Sequence, residues 1–149
     1  CFLLILAHTS TCDIPHHHAT NASIITLVGL AVREIALYQC GPSFNHTIQT
    51  KKRGDHKLIT NGVYSTLRHP SYFGWFYWST GSQVMLGNWL CVIGYVWAGW
   101  KFFSIRIPFE EKTLQKMFPE EYVTYAENTI IGIPFVKSGV VGGVEKKKE

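Results

Sequence analysis

Charged and apolar positions are separated sharply along this chain. From Pro70 to Trp100 run 31 residues with no Asp, Glu, Lys, Arg or His, opening on PSYFGWFYW and closing on WLCVIGYVWAGW. As one helix this run would reach about 46 Å, well past a hydrocarbon core of about 30 Å. Gly87-Asn88 near its middle is a turn signal, so the pattern predicts a helical hairpin over 72–105. Its arms of about 15 residues, roughly 22 Å each, are short for a span, so the hairpin is expected to be buried in protein, tilted or partly inserted. Upstream, IITLVGLAV and IALY flank Arg33-Glu34, and 22–40 reads as a transmembrane helix of about 28 Å. Arg33 and Glu34 are costly in lipid and are expected to face protein or a polar cavity, each with its own partner.

Charge then orients these elements. Between the helix and the hairpin, 41–71 forms a basic loop in which Lys51, Lys52, Arg53, Lys57 and Arg68 stand against Asp55 alone. Basic flanks favour the cytoplasmic side, which places this loop and the segment 106–136 in the cytosol and residues 8–21 in the lumen. Within 106–136, Phe109, Leu114, Met117 and Phe118, then Tyr122 and Tyr125, recur at helical spacing, while Pro108 and Pro119 punctuate the pattern. Residues 137–149 are rich in Gly and then in charge and are expected to be disordered.

Composition agrees with a membrane reading. The 149 residues amount to one domain, with 14% aromatic residues and a charged fraction of 16% against about 25% in a typical globular domain. The opening CFLLILA resembles the end of an apolar segment, so the chain is expected to be a fragment or truncated gene model rather than one with a signal peptide. Cysteines 1, 12, 40 and 91 form no CxxC pair, which points away from a zinc site or a disulfide framework. His16-His17-His18 cannot all face one ion from a regular element, so no metal is expected. Asn21-Ala-Ser and Asn45-His-Thr match the glycosylation pattern, but one abuts the membrane and the other falls on the cytosolic side. No GxGxxG after a strand, P-loop or GxSxG elbow is present, and no nucleic-acid partner is expected.

Two groups of residues carry candidate chemistry. In the first, His56-Lys57-Leu58-Ile59, Tyr64 and Arg68-His69-Pro70-Ser71-Tyr72 lead into a helix that opens on proline. They suit either a docking site for a polar ligand or a headgroup-level anchor. In the second, Arg106 and Glu110 are four apart and share a helix face if Pro108 permits, with Glu111 alongside. This is either a helix-end ion pair or an arginine fork for a carboxylate at the membrane surface.

RHPSYFGWFYW, joined to REIA, FNHTIQ, HKLITNGVYSTL, QVML and the pattern FF…R…EE…L…F.EEY..Y…IPF, resembles the isoprenylcysteine carboxyl methyltransferase family from about residue 31 to 135. The resemblance implies an all-α polytopic membrane enzyme, here its C-terminal half, that transfers a methyl group from S-adenosylmethionine to the C-terminal carboxylate of a prenylated cysteine. The positions matching the family's cofactor contacts are Gln49, His56, Lys57, Leu58, Ile59, Tyr64, His69, Pro70, Ser71, Tyr72 and Glu110, and Arg106 matches the arginine assigned to the substrate carboxylate. The implied partners are prenylated CaaX proteins such as small GTPases and lamins, and the lipid bilayer. The implied location is the endoplasmic reticulum membrane with the site facing the cytosol, and the terminal KKKE resembles a dilysine retrieval signal. In two places the chain departs from the family pattern: Ile107-Pro108-Phe109 replaces a polar, acidic stretch, and Pro119 stands where glycine is common. A phospholipid or other small-acceptor methyltransferase, a sterol reductase and a non-catalytic membrane scaffold are the alternatives.

Overall fold

The computed structural model describes residues 16–41 and 58–141, with side chains from residue 20 onward in the first helix. Four helices follow in order: α1 (His16–Cys40), α2 (Pro70–Met85), α3 (Trp89–Met117) and α4 (Pro119–Glu127), with a 3₁₀ turn over Gly62–Ser65 ahead of α2. Among the described residues the extended pairing is limited to one parallel bridge between Leu67 and Ile130. The architecture is all-α, as the sequence pattern implies.

α1 begins at His16, so residues 16–21 continue the helix where a lumenal loop was expected. It packs along α2 through glycines. A Cβ at Gly29 would sit 2.7 Å from the backbone nitrogen of Trp78, and one at Gly74 would collide with the Gly29 carbonyl oxygen. Small residues of this kind let two backbones meet closely in lipid, where apolar surface alone gives helices no reason to associate. Arg33 reaches across the same interface and donates to the Ser71 carbonyl oxygen at 3.2 Å. Glu34 is exposed, without the protein partner expected of it among the described residues.

The hairpin turns where the sequence signals it. Gly87 takes φ of +67°, a region that favours glycine, and the Asn88 side chain accepts from the Cys91 backbone N–H at 3.1 Å to start α3. The second arm does not stop near residue 105. α3 runs unbroken for 29 residues to Met117, about 43 Å, through Pro108. Proline removes one helical hydrogen bond, but Phe103 and Ile107 just before it are anchored in the core with Phe76, Ile131 and Ile133. That packing keeps the helix continuous through the gap, so the segment expected to start afresh at 106 is the continuation of the hairpin arm. Residues 20–40 and α3 are each long and apolar enough to cross a membrane. Both expose many large apolar side chains, such as Leu27, Leu90 and Ile93.

The chain then folds back. The Arg68 N–H donates to the Ile130 carbonyl at 2.9 Å, and the Ile130 N–H donates to the Thr66 carbonyl at 3.0 Å. Tyr125 of α4 donates its hydroxyl to the Tyr64 carbonyl at 2.7 Å, and burial pushes that hydroxyl's pKa up to about 12. Ile131 and Ile133 thereby enter the hairpin core. Residues 137–141, expected to be disordered, lie along α3: Gln115 donates to the Val141 carbonyl at 2.7 Å and accepts from the Val141 N–H at 3.1 Å.

Candidate functional site

The site grows from the start of α2. Pro70 occupies the first turn, where its fixed φ suits a helix and its missing N–H costs nothing. The His69 carbonyl accepts from the Tyr72 and Phe73 backbone N–H groups at 3.0 and 2.9 Å, which winds His69-Pro70-Ser71-Tyr72 tightly. Tyr72 is thereby aimed at α3.

There it meets Arg106 and Glu110. Arg106 Nε donates to the Tyr72 hydroxyl at 2.8 Å, and that hydroxyl donates to Glu110 Oε2 at 2.6 Å. The direction is forced, because a guanidinium cannot accept a hydrogen bond and an ionised carboxylate cannot donate one. The short second distance is that of a charge-assisted bond. Around this chain, the Tyr72 ring stacks on His69 at 5.5 Å and leans on Phe103 at 5.0 Å. The Arg106 guanidinium lies 5.7 Å from the Tyr72 ring centre and 5.8 Å from that of Phe102, within cation–π range.

A second node lies one residue on. Successive helix residues point about 100° apart, so Glu111 turns away from Tyr72 into the protein. Its side chain is fully buried: Oε1 lies 3.3 Å from His69 Nε2 and 3.4 Å from Arg68 Nη1, and Oε2 accepts from the Ser138 hydroxyl at 2.6 Å and the Gly139 N–H at 2.7 Å. His69 joins the nodes, since its Nδ1 lies 4.0 Å from Glu110 Oε1.

Of the residues singled out from the sequence, Arg106, Glu110, Tyr72 and His69 converge here, with Pro70 and Ser71 forming the turn that carries them. Ser71 Oγ accepts from Arg33 Nη1 at 3.5 Å, an α1–α2 contact. Tyr64 donates its hydroxyl to the Ala36 carbonyl at 3.3 Å, tying the 3₁₀ turn to α1. Leu58 lines an open groove of about 700 Å³ together with Glu120, Glu121, Tyr125 and Thr129. Ile59 is half-buried. Among the described residues, no hydrogen bond or ion pair joins Leu58, Ile59 or Tyr64 to the Tyr72 chain. Gln49, His56 and Lys57 lie outside the described residues. Sequence reasoning left Glu111 without a role. Its position one residue past the Arg106-facing glutamate was a usable signal, whereas its partners Ser138 and Gly139 carry no local one.

An anionic and a cationic side chain bridged by one phenol, on a long apolar helix beside a glycine-packed partner, define an all-α membrane protein with a polar site at the end of its hairpin. The family model for the isoprenylcysteine carboxyl methyltransferase family matches residues 22–116. The chain belongs to that family. It is 49% identical over 114 residues to the protein-S-isoprenylcysteine O-methyltransferase of Xenopus laevis, covering 76% of this chain and 40% of that protein. It is 44% identical over 113 residues to the Saccharomyces cerevisiae protein of the same name, covering 76% and 47%. A solved structure of a eukaryotic intramembrane Ras methyltransferase, an isoprenylcysteine carboxyl methyltransferase, superposes with a TM-score of 0.78 at 41% identity, covering 83% of this chain and 44% of that one. The chain thus spans less than half the length of these relatives.

Proposed function

We propose that this chain carries the methyl-transfer site of a protein-S-isoprenylcysteine O-methyltransferase, with S-adenosylmethionine as donor and the C-terminal carboxylate of a prenylated cysteine as acceptor. The observation that carries the reading is the Arg106–Tyr72–Glu110 chain, which presents a cation and an anion side by side on one helix. The acceptor is an anion on a lipid tail, and the donor bears a cationic ammonium and sulfonium. Glu110, the aromatic faces of Tyr72 and His69, and the half-buried setting fit such a donor, and Arg106 fits such an acceptor. S-adenosylmethionine, when bound, supplies a methyl group activated by its sulfonium.

The protein's task is then positional. A carboxylate is already ionised at neutral pH, so no side chain has to remove a proton. Arg106, at the polar end of an apolar helix, orients the carboxylate while its lipid tail stays in an apolar setting. Holding reactants in line in this way is worth on the order of 7–11 kcal/mol in favourable cases. Gln49, His56, Lys57, Leu58, Ile59, Tyr64, Pro70 and Ser71 complete the proposed donor site. The proposed setting is the endoplasmic reticulum membrane, the site facing the cytosol, with prenylated CaaX proteins such as small GTPases and lamins as substrates.

Membranes containing this chain, alone and joined to the N-terminal region of the Xenopus laevis relative, test the reading with methyl-labelled S-adenosylmethionine and N-acetyl-S-farnesylcysteine. Base-labile label on the acceptor supports it. Base-stable label on lipid amines instead would assign the site to a small-amine methyltransferase, and no transfer from the folded, joined protein would leave a non-catalytic site.

A further inference from the structure

The Arg106–Glu110 arrangement contains a conflict. Opposite charges four residues apart on a helix tend to pair with each other. Had these two done so, each would neutralise the charge that the proposed function requires of it.

We infer that Tyr72 is a positioning residue whose hydroxyl acts as a spacer, holding Arg106 off Glu110 so that one helix face keeps a cation for the acceptor carboxylate and an anion for the donor's ammonium. This deepens the reading above and rests on it. A phenol suits the position because it accepts from the guanidinium Nε and donates to the carboxylate at once, satisfying both neighbours with a neutral group. The ring itself is held from two sides. His69 stacks against it with an interplanar angle of 8°, and Phe103, buried in the hairpin core, packs against it at 5.0 Å. Its backbone N–H is tied to the His69 carbonyl. The hydroxyl is therefore placed by α2, a different element from the one carrying the two charges, so it does not follow the charged side chains as they move.

Removing the hydroxyl alone leaves the ring packing in place. In Tyr72→Phe, Arg106 and Glu110 lose the hydroxyl that they share, and closer pairing then makes the arginine less available to a carboxylate. The consequence is specific: neutralising Glu110 should relieve the defect. A residue that merely shaped the fold would show no such rescue.

The experiment is direct binding of N-acetyl-S-farnesylcysteine to the full chain in membranes, for wild type, Tyr72→Phe, Glu110→Gln and the double variant, with thermal unfolding checked for each. We expect Tyr72→Phe to weaken binding about tenfold at an unchanged unfolding midpoint. The double variant should return to within about threefold of wild type, and Glu110→Gln alone should bind the acceptor at least as well as wild type. The spacer role is overturned if Tyr72→Phe binds normally, or if the double variant is as weak as Tyr72→Phe. Failure of the wild-type protein to bind the acceptor overturns the functional reading itself, and the spacer role with it. If Tyr72→Phe unfolds early, the four proteins are compared below its unfolding midpoint under the same criteria.

Discussion

Glu110 and Glu111 are adjacent in sequence and opposite in environment. Glu110 is half-buried and faces the Tyr72 hydroxyl, whereas Glu111 is sealed in among Arg68, His69, Ser138 and Gly139. A buried carboxylate with several donors anchors those donors, and removing its charge leaves the Arg68 guanidinium uncompensated. Glu111→Gln is therefore expected to cost roughly 3 kcal/mol of stability, in the range found when one partner of a buried pair is lost. The measurement is the thermal unfolding midpoint in detergent, together with the rate of protease cleavage after Lys137, which should rise as the Ser138–Gly139 contact is released. An unchanged midpoint and cleavage rate would show that Glu111 does not hold this segment. The sequence placed Arg106 and Glu110 on one face through their spacing of four, but it could not place Tyr72 between them. That contact depends on how α2 leans on α3, set by Phe103 and Phe76 in the shared core.

At the scale of elements, α1 and α2 meet through Gly29, Gly74 and Gly81. A branched side chain at Gly74 has no space, because Gly29 and Arg33 already occupy it. Gly74→Val is expected to force the helices apart at a cost of about 2–3 kcal/mol, and a normal unfolding midpoint for this variant would contradict the packing described. α4 is tied to the approach to α2 by Tyr125. Burial raises this hydroxyl from its ordinary value of 10.0 to about 12, so the folded state holds the proton more tightly than the unfolded chain. The stability it contributes is present in full below pH 10 and is lost as pH climbs from 10 to 12. Wild type should accordingly be about 1 kcal/mol more stable than Tyr125→Phe at neutral pH, an advantage that shrinks above pH 10 and reverses before pH 12 in parallel unfolding titrations, because a rise from 10.0 to about 12 outweighs it. The elements differed in how far the sequence revealed them. The Gly87-Asn88 turn was legible because its chemistry is local, and the length of α3 was not. Pro108 carries a strong local stop signal, which the burial of Phe103 and Ile107 overrides from partners up to 31 residues distant along the chain.

For the molecule as a whole, two features legible in the sequence combine into one design. An uncharged run supplies the helical hairpin, whose second arm is long and apolar enough to cross a membrane, and the first charges to appear beyond Trp100 on α3, Lys101, Arg106, Glu110 and Glu111, lead from it into the polar site. The proposed function depends on these being one continuous helix. In that proposal a lipid-anchored acceptor moving along α3 would encounter Arg106 where the apolar run gives way to charge, with Glu110 one turn further on for the donor. The central claim is this division of labour along α3. It is tested most directly by measuring KM for both S-adenosylmethionine and N-acetyl-S-farnesylcysteine in Arg106→Ala and Glu110→Ala, in membranes where the wild-type protein is active. The account predicts that Arg106→Ala raises the acceptor KM at least about tenfold with little change for the donor, and that Glu110→Ala does the reverse, as loss of a charge-assisted contact of about 1.5–3 kcal/mol implies. Equal losses of both affinities in both variants would contradict it.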